Sequence, residues 1–227
     1  MATDARMGTT MDTFTTMHTD QLLTLVQWLS PSYPVGAFAY SHGLEWTVHG
    51  GEVTDRATLE AWLETVLRHG AGYSDALFLA AAYQTADARA VDALARAFAP
   101  SAERLQETVL QGEAFCRASG AIWGVELPAL TYPVAVGQAA RMQGLPLELT
   151  LQVFLHAFTS NLAAAGMRLI PLGQTDGQLV IKNLAATCID IADTAMRGSL
   201  ENLSSTALLS DIASMKHETQ YSRIFRT

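Results

Sequence analysis

Lysine is nearly missing from this sequence. Only Lys182 and Lys216 occur in 227 residues, and Lys and Arg together number 14 against 22 Asp and Glu. At a net charge of −8 there is no basic face of the kind that exchanges counterions with phosphates, which excludes a general nucleic-acid binder. Cysteine is as scarce. Cys116 and Cys188 stand far apart, so there is no disulfide framework, no CxxC pair and no zinc knuckle, and each falls on an apolar helical face as a small buried hydrophobe would. The strand formers are few: 12 Val and 7 Ile. That excludes folds that need a large parallel sheet, whose strands are rich in both. No run of about 18 uncharged apolar residues occurs, so no membrane span is expected. Met1–His18 is rich in Thr and Met without an apolar core, unlike a signal peptide, and the expected location is the cytoplasm.

What is present is helix-forming. Ala (36) and Leu (29) dominate, and apolar residues reach 49%, enough to bury a substantial core. The pattern predicts an all-α single domain of about eight to ten helices joined by short loops, with a disordered tail over 1–18, a helical body over 19–210 and a polar C-terminal segment over 211–227. Asp20 is placed to cap a first helix over Gln21–Leu29. Ser30–Gly36, with Pro31, Pro34 and Gly36, is read as an ordered turn, and a short helix follows over Ser41–Val48. Thr54 or Asp55 opens a helix whose Leu59, Trp62, Leu63, Val66 and Leu67 form one buried stripe. Gly70 and Gly72 break or bend it. Ser74–Ala86 is apolar all round, the mark of a central helix. Further helices are expected over Val91–Phe98, Ser101–Ser119, Val134–Gln143, Leu151–Leu169 and Ile181–Ala192, with 120–133 and 198–210 irregular. In the connection over 171–178, Pro171, Gly173 and Gly177 supply turn geometry and Thr175 or Asp176 caps the next helix.

Three pieces of chemistry need weighing. The histidines are His18, His42, His49, His69, His156 and His217. His217-Glu218 lacks the second histidine of the HExxH zinc motif, and no Glu-x-x-His pair of the bundle type occurs. His42 and His49, seven apart, fall two turns along one helical face, too far for chelation within one chain; with His217 they are the residues from which a metal site between subunits could be built. Ala39-Tyr40-Ser41-His42-Gly43 matches the G-x-S-x-G nucleophile elbow except at its first position, which raises a serine hydrolase with Ser41 as nucleophile. That elbow needs a strand leading into a helix, and the sequence supplies almost no strand around it. Finally, Leu172–Gln178 has two glycines but no GK[ST] and no G-x-G-x-x-G, so nothing in it cradles a nucleotide.

The C-terminal end is unusual. Met215–Thr227 holds Lys216, Arg223 and Arg226 against Glu218, a net of +2 on a body of −10. It mixes the residue types enriched at interface hot spots, and the spacing of Tyr221 and Phe225 would put both on one side of a helical turn.

Three stretches resemble one family. The run LVQWLSPSYPVGAFAYSHGLE at Leu25–Glu45, RLIPLGQTDGQ at Arg168–Gln178 and KHETQYSRIFR at Lys216–Arg226 are similar, in order and spacing, to the three signatures of the urease accessory protein UreF family. Thr227 departs from the Ser that usually ends that family. The resemblance implies an all-α homodimer without enzymatic activity that bridges the accessory protein UreD (or UreH) and the GTPase UreG during nickel insertion into apo-urease. Nickel would be the delivered ion and no cofactor would be held stably. The resemblance also implies an internal tunnel for nickel, and a C-terminal segment that orders when the partner binds, with Arg223 and its neighbours beside Tyr40, Ser41 and Glu45. Lys216, His217, Glu218, Tyr221, Arg223 and Phe225 become the expected partner-contact residues, with no nucleic acid and no membrane involved. A stand-alone nickel carrier is the third reading, beside the scaffold and the hydrolase.

Overall fold

The computed structural model describes residues 19–226; the tail expected over 1–18 and the departure at Thr227 lie outside the described residues. Helix is the regular structure of these residues, with no strand among them: α1 (Thr19–Trp28), a 3-10 turn at Ala37–Ala39, α2 (Leu44–His49), α3 (Arg56–His69), α4 (Ala71–Gln84), α5 (Arg89–Phe98), α6 (Ala102–Trp123), α7 (Tyr132–Met142), α8 (Leu147–Leu169), α9 (Gln174–Arg197), a second 3-10 turn at Leu200–Asn202 and α10 (Leu208–His217). None is long and apolar enough to cross a membrane.

The order follows from the sequence physics. Asp55 caps α3 through a capping box with Thr58, and Ser101 caps α6 by accepting the Arg104 N–H at 3.1 Å. The α3 stripe of Leu59, Leu63, Val66 and Leu67 is buried. Helix α4 is buried on nearly every side and is packed by α3, α5, α7, α8 and α9, which makes it the central element. Its approach to α7 is so close that a Cβ at Gly137 would run into the Leu79 carbonyl, so a larger residue there would force the two helices apart. Helices α8 and α9 pack along each other as a long pair, and α3 lies against both. Cys116 and Cys188 are buried, as read from their apolar faces.

Several local expectations are corrected. Asp20 lies inside the first turn of α1 and is not its cap. Gly70 joins α3 to α4 as a shared cap, but Gly72 sits within α4, where the Cβ it lacks would strike Leu67. The irregular stretch shrinks to 124–131, because α6 continues to Trp123 and Pro133 is tolerated in the first turn of α7. Neither Thr175 nor Asp176 caps α9: Gly173 holds that position at an ordinary φ of −73°, and Gly177 is a helical residue whose missing side chain makes room for Met167. Pro34 and Gly36 do form a turn, with Gly36 at φ 75°. Residues 208–210, expected irregular, already belong to α10.

Candidate functional site

The three signature stretches, remote in sequence, meet in one place. Helix α10 runs against α2, and the residues after it fold back over the turn before α2. The contact is tight because Gly43 takes φ 80°, a conformation only glycine enters readily, and because a Cβ there would sit 2.6 Å from the Ser214 backbone nitrogen. Beyond α10, the Glu45 carboxylate accepts two backbone hydrogen bonds from the tail, Oε1 from Ile224 N–H (2.7 Å) and Oε2 from Phe225 N–H (2.9 Å). Arg226 N–H donates to the Ala39 carbonyl at 2.8 Å, and its guanidinium bonds the Tyr40 hydroxyl. The central signature contributes Arg168, whose guanidinium lies 4.5 Å over the Phe225 ring and donates to the Phe38 carbonyl at 3.1 Å.

Beneath the tail lies His217, fully buried, with Nδ1 2.7 Å from Glu103 Oε2 and Nε2 3.2 Å from Glu45 Oε2. Arg223 donates to the other oxygen of Glu103. Glu218 reaches the opposite way: its carboxylate accepts the Ala102 N–H (2.8 Å) and the Glu103 N–H (3.4 Å) at the start of α6, where the helix dipole favours an anion. The charge-assisted bonds to the buried carboxylates of Glu45 and Glu103 contribute about 1.5–3 kcal/mol each, and burying the Phe225 ring adds about 1.5–3 kcal/mol. The tail is therefore seated by specific contacts.

A second buried cluster adjoins the first. His42 Nε2 is 2.8 Å from Glu107 Oε1, Arg104 pairs with the other oxygen of Glu107, and Asp75 stands 3.7 Å from Arg104. Gln111 donates to Glu107 at 2.9 Å. Burial and then the neighbouring Arg104 lower the His42 pKa, so the ring is held neutral. Burial would raise Glu107, but Arg104 and His42 outweigh it and hold it at about 2. Asp75 is pushed up to about 6 by burial, against the pull of Arg104. His42 has a left-handed backbone (φ 55°), rare for a residue with a side chain, and its Nδ1 has no hydrogen-bond partner among the described residues. Two cavities, of about 40 and 50 Å³, lie on either side of this cluster and share His42, Asp75, Arg104 and Thr108 in their walls.

The fold therefore redistributes the residues singled out from sequence. Glu45, His217 and Phe225 are buried and organise the site from below, while Lys216, Glu218, Tyr221, Arg223 and Arg226 are exposed. Tyr221 and Phe225 do not share a helical turn: the chain leaves helix after His217, Tyr221 projects fully into solvent and Phe225 turns inward. His42 precedes α2 and is buried, whereas His49 ends it in solvent, so the shared helical face expected for them does not exist. With His217 enclosed by its two carboxylates, these three histidines do not converge, and among the described residues no group of three or more His, Cys, Asp or Glu is arranged to hold a metal. Ser41 is buried in a turn where its Oγ accepts the Glu45 N–H (3.4 Å), without the strand a nucleophile elbow requires.

Sequence reading missed Glu103, Arg104 and Glu107. The first turns of α6 are inverted, with Glu103, Arg104, Glu107 and Gln111 buried and Leu105 and Leu110 partly exposed. Their 3.6-residue spacing was the available signal, but a polar stripe at that period is ordinarily the wet face. Also missed was an apolar row on the outer side of α10, where Leu208, Ile212 and Met215 are exposed at i, i+4, i+7 spacing with Leu209 beside them.

Comparisons with known proteins point to one family. The UreF family model matches residues 53–185. A urease accessory protein UreF of Ruegeria pomeroyi is 57% identical over 210 residues, covering 91% of this chain and 97% of its own. Those of Roseobacter denitrificans and Bradyrhizobium diazoefficiens are 52% identical over 213 residues (93% and 96% covered) and 48% identical over 221 residues (91% of each).

Proposed function

The chain belongs to the UreF family of urease accessory proteins, and from that premise we propose that it works as a non-enzymatic co-chaperone. In this reading a cytoplasmic homodimer bridges UreD (or UreH) and the GTPase UreG, so that nickel enters apo-urease as GTP is hydrolysed. The observation that carries the reading is the seating of the C-terminal tail on the two other signatures through Glu45, Ala39 and Arg168. We read that arrangement as a docking base. It offers a shaped surface: Tyr221, Arg223, Ile224 and Arg226 stand outward on a fixed base, beside the apolar row of α10. Aromatic and arginine side chains around an apolar patch are the composition of a binding surface.

Arg223 is the residue of choice for the test. Its guanidinium is half committed to Glu103 and half open to a partner. Arg223→Ala is expected to weaken capture of UreG in a pull-down and to slow urease activation while the circular dichroism of the helices stays unchanged. Equal capture by variant and wild type would overturn the assignment of Arg223. Labelling of Ser41 by a fluorophosphonate probe would instead revive the hydrolase.

The paired cavities favour a second element, a conduit for nickel. Their common wall carries Asp75 and His42, an anionic and a neutral donor, in contact with the partly polar lining on either side. Here nickel is cargo in transit.

A further inference from the structure

His217 joins the tail to the body, and its surroundings dictate its protonation. Both ring nitrogens face carboxylate oxygens, Nδ1 toward Glu103 and Nε2 toward Glu45. A neutral imidazole has one N–H and one lone pair, so it can satisfy only one of them. Neither carboxylate is free to supply the missing proton. Both oxygens of Glu45 already accept N–H groups, from Ile224 and Phe225, and the Arg223 guanidinium on Glu103 Oε1 favours the ionised carboxylate there. The pairing closes only when the ring is an imidazolium. Charge balance agrees, since Glu45 and Glu103 then face His217 and Arg223, two against two. His217 is also the last residue of α10, where the helix dipole favours a cation.

From this geometry we infer that His217 is a positioning residue whose proton holds the C-terminal tail in its docked conformation. The charged groups facing the ring are Glu45 from α2, Glu103 from α6 and Arg223 from the tail; Lys216 points to solvent and Glu218 is turned to the α6 amides. On deprotonation the longer contact is the one to give way. Nδ1 keeps its N–H on Glu103 at 2.7 Å, and Nε2 turns a lone pair toward Glu45 at 3.2 Å. Glu45 is the carboxylate that anchors Ile224 and Phe225, so the tail loosens there first while α10 remains in place. Protonated His217 thus favours the docked tail and neutral His217 the released one. The effect of this on partner capture rests on the bridging role proposed above; the state of the tail does not.

The test is amide hydrogen exchange on the intact protein at about pH 5.5 and about pH 8.5, either side of the ordinary histidine range. Rates are corrected for the intrinsic pH dependence of exchange. The Ile224 and Phe225 amides are expected to lose about tenfold or more of their protection at the higher pH, the worth of one charge-assisted bond, with the α10 amides as an unchanged reference. His217→Gln, which carries one amide donor and no titration, is expected to abolish the pH step and to leave tail protection low at both values. A step that persists in His217→Gln, or equal protection at both pH values in the wild type, would overturn the inference. Ring 15N shifts of His217 in the wild type give an independent reading should the variant not fold. A neutral ring beside a protected tail refutes the assignment, and an imidazolium beside one supports it. A tail that behaves as expected but fails to alter UreG capture would sink the bridging role alone.

Discussion

Asp75 is the clearest case of a residue kept at a thermodynamic cost. Its carboxyl is pushed from 3.8 to about 6 by burial, although Arg104 stands nearby. A group whose folded pKa lies above its unfolded value favours folding when protonated, so its stabilising influence is complete below about pH 4 and is lost as the pH rises through about 6. Above that the ionised carboxylate burdens the fold by about 3 kcal/mol, a shift of about two units at 1.36 kcal/mol each. Asp75→Asn keeps the shape and an acceptor for Arg104 while removing the charge. It should therefore behave as a permanently protonated Asp75. The expected result is a variant more stable than the wild type by up to about 3 kcal/mol at about pH 8, or about 6–12 °C in melting temperature for a chain of this size, with the advantage fading to nothing near pH 4. Thermal melts across that range check it. A destabilised Asp75→Asn at pH 8, or a difference that ignores pH, refutes the reasoning. If the gain is found, the natural chain retains a destabilising carboxylate in the wall common to both cavities, as is usual where function and stability compete.

Two further substitutions probe the docked end. Gly43→Ala forces a side chain into φ 80° and against the backbone of Ser214, so α10 must move; a loss of about 1–3 kcal/mol in urea unfolding and faster tryptic cleavage after Lys216 are expected, and unchanged values would mean that α10 is not held at this contact. Glu218→Ala removes the anion that satisfies the first amides of α6. It should cost about 1 kcal/mol and lower the melting temperature by about 2–4 °C, and a variant melting with the wild type would show that solvent serves those amides equally well.

Much of this architecture is written locally. The stripe on α3, the all-round apolar α4 and the Ser101 and Asp55 caps are short-range patterns, and they led to the right elements. What failed was long-range. Nothing near Thr175 or Asp176 says that the chain turns at Gly173, and nothing near Gly177 announces Met167 on the neighbouring helix. The tail residues stood out by composition, but which would face inward depended on carboxylates supplied by α2 and α6. Glu103, Arg104 and Glu107 looked like solvated helix charges, and only the partners that three other segments bring to them make burial tolerable. Tyr221 and Phe225 were paired by helical spacing that the backbone abandons after His217.

The distance along the chain between Glu45 and its tail partners has a bearing on biosynthesis. Glu45 and Glu103 leave the ribosome long before Ile224, whose amide lies 179 residues after Glu45. Through most of translation these two acids have neither their histidine nor their arginine, and water must serve them. That corner of the nascent protein cannot dry out early, and its closure comes among the final events of folding, after the helical body has assembled.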